Sequence, residues 1–281
     1  MAGEPQDRPL QYRRVVLTVQ GGGAPASAFR LAAELAHWLE LDLEGVFVED
    51  EALLALAGHS FAREFSLPGH TWQTLNSARM IEDFRNTADQ ARSLLAEAAS
   101  SLGIASGFSV LRGDPAMLAA RLPASDILVV VEAGGVPGLA LRCEAAMMLV
   151  PPRPRTTSGA IAVVAEARNG AGLATALALA RRAGADLLLI LPGDTDIAMP
   201  TEGDFPSDRI LRRRVPAGDT VAIARAVRAA NARLLVIARS TFADDPAAAA
   251  SLLAAASGVP VLMVAGAAEE KGGAEEKTDT G

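Results

Sequence analysis

Apolar positions along the chain follow two different rhythms. Short unbroken runs of β-branched and aliphatic residues, such as Val15–Val19, Ile127–Val131 and Leu234–Ala238, predict strands. Runs that are apolar at every position suit a parallel sheet buried on both faces. Between them the apolar residues return every three or four positions: Phe29, Ala32, Ala33, Ala36 and Leu39 share one face of a predicted helix. Gly113-Asp114-Pro115 supplies an N-cap and a first-turn proline, and Asp219 supplies a cap at the matching place without the proline. Strands alternating with helices imply right-handed crossovers and a doubly wound, Rossmann-like α/β architecture.

The pattern occurs twice. Leu17–Val48 and Ile161–Pro192 run in parallel, with Asp42 falling on Asp186 at an offset of 144. Farther on, Gly113-Asp114 falls on Gly218-Asp219 at an offset of 105, so the first half carries 39 more residues between its second and third strands. A repeat this long is about one domain and not a solenoid unit. The reading is a flexible N-terminus (1–12), a first domain (13–151), a Pro/Arg-rich linker (152–158, within "PPRPRTTSG"), a second domain (159–265) and a disordered tail (266–281). Each domain is expected to hold five mostly parallel strands. The last strands, Ala146–Val150 and Val261–Val264, are apolar and would be exposed edges. They predict an intramolecular pseudo-dimer of the two domains.

The extra segment, about Glu49 to Leu102, reads as a short helix, a loop and a long amphipathic helix. Its apolar positions are Leu75, Ala78, Ile81, Ala88, Ala91, Leu95, Ala98 and Leu102. It holds Phe61, Phe65, Trp72 and Phe84 in a chain with only 4% aromatics. Aromatics of this kind anchor interfaces, which makes the segment the candidate site for a protein partner. The competing reading is a helix that simply covers the sheet.

Composition narrows the chemistry. A net charge of −7 argues against nucleic acid and anionic membrane as partners. No apolar run approaches the length of a membrane span and the first residues lack a signal-peptide pattern, so a cytoplasmic protein is expected. The basic residues are 24 arginines and two lysines, Lys271 and Lys277, both near the C-terminus. The folded part therefore has no lysine for a Walker loop or a Schiff base. Cys143 is the single cysteine and reads as a small core or surface thiol. His37, His59 and His70 are not grouped by helical spacing, and neither HExxH nor GxSxG occurs. The basic cluster in "DRILRRRVPAGD" reads as edge-strand protection.

Strand order, "GVFVEDEALLALAG" after the second strand, the Gly-Asp turn before the third helix and the closing "SGVPVLMV" together resemble the universal stress protein family in tandem form. The resemblance covers nearly all of residues 13–265. It implies an ATP site in members that carry Asp at the end of the first strand. Such members also have a glycine-spaced loop after the fourth, where backbone N–H groups approach phosphate. This sequence departs from that pattern. Gln20 stands where the Asp is expected. Gly135 and Gly138 have the short glycine spacing, but no third glycine follows. The second-half loop has no glycine between Ile237 and Gly258, and Asp244 and Asp245 read as the N-cap of a helix beginning near Pro246.

Gly21 to Ser27 ("GGGAPAS") is a second candidate anion site, or a permissive strand-to-helix turn. The candidate cofactor-binding residues are thus Gln20, Gly21, Gly22, Gly135 and Gly138, with no catalytic or metal-ligating set. The expectation is a non-enzymatic regulatory or adaptor protein with lost or weak nucleotide binding and no required cofactor. The alternative is an ATP- or AMP-binding protein with a non-standard site in the first domain.

Overall fold

The computed structural model describes residues 12–59, 61–66, 69–131, 143–155, 158–165, 170–194, 205–242 and 245–265. In chain order the first half contributes β1 (Arg14–Val19), α1 (Ala26–Leu39), β2 (Asp42–Asp50), α2 (Glu51–Ala57), β3 (Arg63–Ser66), β4 (Thr71–Thr74), α3 (Ser77–Leu102), β5 (Ser106–Gly113), α4 (Pro115–Ala120), β6 (Asp126–Val131) and β7 (Ala146–Val150). The second half contributes β8 (Ile161–Val164), α5 (Ala171–Arg182), β9 (Leu187–Pro192), β10 (Ile210–Val215), α6 (Thr220–Ala229), β11 (Leu234–Ala238), α7 (Pro246–Ser257) and β12 (Val261–Val264).

Ten strands form one sheet in the order β10-β9-β8-β11-β12-β7-β6-β1-β2-β5. Pairing is parallel within each half. The halves meet at one antiparallel ladder between β12 and β7, where Val261 faces Leu149, Leu262 faces Met148 and Met263 faces Met147. All five residues of β7 and all four of β12 are buried, so the ladder hides the two apolar strands from solvent. The outer edges are β5 and β10. On β10, Arg212, Arg213 and Arg214 are exposed, as expected for a charged edge.

The sheet is covered on both sides. One face carries α1, α3 and α5 over Leu17, Phe47, Met148 and Leu262; the other carries α4, α6 and α7 over Leu128, Met147 and Met263. Alanine dominates the helix faces, so backbones lie close to the sheet and a core with few aromatics still closes. The caps follow the sequence: Asp114, Asp219 and Asp245 accept from the backbone N–H of Ala116 (2.8 Å), Ala222 (2.9 Å) and Ala248 (2.9 Å). The linker is tied down at Arg155, whose N–H donates to the carbonyl of Gly258 at 2.7 Å.

Charged groups at the N-terminal ends of the strands are structural. Asp126 is 2% exposed and accepts from Arg14 Nε at 2.9 Å, while Arg14 Nη1 reaches Glu44 at 2.6 Å. The bond to Asp126 is the main cause that pushes the Arg14 guanidinium further up from its usual range. No helix among the described residues is long and apolar enough to cross a membrane.

Two expectations for the extra segment need correction. The stretch after α2 is not a plain loop: β3 and β4 pair antiparallel as a separate two-stranded sheet, with Phe65 opposite Trp72. The buried stripe of α3 is Phe84, Ala88, Ala91, Leu95 and Ala99, whereas Ala78 is exposed. Phe84 is therefore not a surface anchor. It is 5% exposed and meets Phe47 edge-on at 6.0 Å. The apolar repeat drifts around a long helix, and only its later turns lie over the sheet.

Candidate functional site

In open α/β sheets, ligands bind beyond the C-terminal ends of the strands. In the first half that edge is built by Gln20 after β1, by Asp50 closing β2 and by the first turns of α3 above them. They enclose a cavity of about 310 Å³ that Gln20, Gly21 and Gly22 line. Three of the five candidate residues, consecutive in the sequence, thus line this cavity. Gly135 and Gly138 lie outside the described residues.

The charges around the cavity are mostly negative. Asp50, Glu64 and Asp83 line it, with Arg79 as the cation. Asp50 also caps α2, accepting from the N–H of Ala52 at 2.8 Å and of Leu53 at 3.2 Å. Arg79 is shared, lying 3.8 Å from Glu64 and 4.0 Å from Asp83. Among the described residues, a phosphate entering here meets three carboxylates and one guanidinium, which lies within 4.0 Å of two of them. The Coulomb sign is unfavourable unless a cation comes with it.

Gly21 has a packing explanation and Gly23 a conformational one. A Cβ on Gly21 would lie 2.5 Å from Cε1 of Phe84, so the α3 ring leaves no room for a side chain there. Gly23 has φ +73°, the left-handed geometry of the turn into α1. Gly22 alone opens onto free space. Pro25 at the start of α1 offers no side-chain cap.

The other candidates do not assemble a reactive centre. His59 stacks on Phe61 at 5.2 Å, His70 meets Phe65 edge-on at 6.5 Å, and His37 sits in the last turn of α1. Among the described residues no group of three His, Cys, Asp or Glu could hold a metal ion. Cys143 is buried, and burial pushes its thiol up, whereas a nucleophilic cysteine needs the opposite shift.

At the corresponding edge of the second half, Arg239 follows β11 and its Nη2 donates to the carbonyl of Ala145 at 2.7 Å. Its Nε and the Thr241 hydroxyl are buried without a hydrogen-bond partner among the described residues. Asp245 is committed to capping α7, as its position before Pro246 predicts; Asp244 lies outside the described residues.

Sequence reasoning missed Asp50, Glu64 and Arg79 as neighbours of one cavity. Arg79 and Asp83 lie one turn apart at the start of α3. Their four-residue spacing was the only available signal that they act together. The hairpin beside the cavity carries exposed aromatics: Phe61 is 75% and Trp72 66% exposed, and Phe65 and Trp72 meet at 5.3 Å.

Each half runs its five strands in the order third, second, first, fourth, fifth, and the two halves are joined through the fifth strands. A solved universal stress protein from Archaeoglobus fulgidus DSM 4304 superposes over 92% of this chain and 100% of its own with a TM-score of 0.60. The fold is that of the universal stress proteins. A functionally unknown protein from Pseudomonas aeruginosa PAO1 superposes over 92% of this chain and 94% of its own at a TM-score of 0.54. Both are 13% identical to this chain, so the likeness carries the universal stress fold and not a ligand. No family model matches the sequence, and no curated protein matches it.

Proposed function

We propose that this chain is a regulatory or adaptor protein on the universal stress scaffold, without catalytic chemistry of its own, in which nucleotide binding is lost or weak. The observation that supports this most is the charge of the first-half cleft. Among the described residues, Asp50, Glu64 and Asp83 line the cavity beside Gln20–Gly22, and the one cation, Arg79, lies within 4.0 Å of two of them. Phe84 explains Gly21 without a phosphate. Equilibrium binding of labelled ATP and AMP to the purified chain is the test. The reading expects no saturable binding at micromolar nucleotide. Nucleotide copurifying near one equivalent supports the ATP- or AMP-binding alternative, for which a cavity of about 310 Å³ is of suitable size.

The adaptor role is assigned to the hairpin. Strands β3 and β4 form a two-stranded sheet whose outer edges are unpaired among the described residues. Thr71-Trp72-Gln73-Thr74 is uncharged and exposed at every position. Native edges usually carry charge that blocks pairing, and this one does not. A partner protein presenting an extended segment would add a strand along β4 and bury Trp72 and Phe65. Trp72→Ala and Phe65→Ala are expected to keep the melting temperature while lowering capture of partners. If both variants retain every partner, the hairpin is not the docking element.

A further inference from the structure

A second cavity, of about 50 Å³, lies at the seam between the halves. It runs along α1, which supplies Arg30, Glu34 and Trp38, and is closed by Arg155 of the linker and Arg233 just before β11. We propose that this seam binds a small oxyanion of the size of inorganic phosphate, held jointly by both halves and the linker.

Three guanidiniums face one carboxyl, the reverse of the balance in the first-half cleft. Arg233 is fixed by Trp38, its Cζ lying 5.4 Å from the ring centroid. In that position its Nε is buried and has no hydrogen-bond partner among the described residues. A guanidinium N–H cannot be silenced by deprotonation, so a buried one needs an acceptor. Glu34 does not provide it. No ion pair joins Glu34 to Arg30, Arg155 or Arg233 among the described residues. Burial pushes the Glu34 carboxyl up, only partly countered by Arg233 and then Arg30.

The volume sets the ligand class. The enclosed space is of the order of a few waters, which suits a compact anion such as a tetrahedral oxyanion. Planar guanidiniums match the paired oxygens of such an anion. The residues come from α1, the linker and the start of β11, so occupancy would add to the adhesion of the halves through mass action. The proposal does not depend on the reading of the first-half cleft.

The test is calorimetric titration and thermal melting of the full chain with inorganic phosphate, with sodium chloride at matched ionic strength as the control. Phosphate should bind saturably with one site per chain and raise the melting temperature beyond the chloride effect. Arg233→Gln and Arg30→Gln should each weaken binding about tenfold. Arg213→Gln on the exposed edge strand should change nothing. If Arg233→Gln does not fold, the Arg30→Gln, Arg155→Gln pair decides, because both side chains are at the exposed rim. Equal shifts with phosphate and chloride overturn the proposal, as does undiminished binding in the rim variants. ATP binding more tightly than phosphate with the same arginine dependence also overturns it, by pointing to the phosphate end of a larger ligand.

Discussion

The two halves share a strand order but differ in how they connect the second strand to the third. In the first half α2, a hairpin and α3 lie between β2 and β5, and α3 buries Phe84, Ala88, Ala91, Leu95 and Ala99. In the second half the described part of the same connection is a short turn, Ser207–Arg209, beside a buried Phe205 under Arg209 at 5.5 Å. The scaffold is indifferent to which solution is used. The charge at the strand ends is not, because the longer connection brings Glu64, Arg79 and Asp83 there.

The comparison breaks first where α3 is core. Leu95 is 1% exposed, and Leu95→Ala should lower unfolding free energy by about 3 kcal/mol in a denaturant titration. A loss below about 1 kcal/mol would mean that α3 is a dispensable cover.

A sharper test contrasts Gly21 with Ala165, its counterpart at the offset of 144, where a Cβ is already accommodated at 1% exposure. Gly21→Ala should cost about 1–3 kcal/mol through collision with Phe84, and Phe84→Leu in the same chain should recover part of it. If Gly21→Ala is neutral, Phe84 is not what keeps this position glycine.

Glu34 offers a pH test, since the second half has Ala178 at its counterpart. Burial raises the folded-state value of Glu34 above the unfolded one. The folded chain therefore holds this proton more tightly, and folding is favoured as pH falls. The penalty is complete above the raised folded value and gone below the ordinary carboxylate range. Glu34→Gln should raise the melting temperature at neutral pH and flatten its dependence across that window. An unchanged pH profile would show that Glu34 is well solvated.

The smallest effect is expected at Trp72. At 66% exposure, Trp72→Ala should shift unfolding free energy by no more than about 0.5 kcal/mol. A larger loss would make the hairpin part of the packed body.

Strand order was legible because parallel strands buried on both faces read as unbroken apolar runs, and Asp114, Asp219 and Asp245 marked helix starts by a local hydrogen bond. The junction at β7 and β12 was legible because two apolar strands cannot both remain edges. The hairpin was not: Arg63 and Glu64 interrupt the alternation of β3, and β4 is exposed on both faces, so neither shows a period of two. Without the hairpin, Glu64 could not be brought to Asp50 and Asp83. At the seam, Arg30 and Glu34 are one helical turn apart on α1, but Arg233 joins them only through the fold, and no sequence spacing announces it. Phe84 was misplaced because a period drifting around a long helix does not say which turns reach the sheet.

The central claim is that the first-half cleft repels phosphate. It is tested most directly by titrating labelled ATP into the wild-type chain and into a Glu64→Gln, Asp83→Asn variant, which keeps Asp50 as the cap of α2. The account predicts no saturable binding to the wild type at micromolar ATP and a measurable gain in the variant, where Arg79 is freed. Stoichiometric, micromolar binding by the wild type, abolished by Gly135→Val or Gly138→Val, would contradict it.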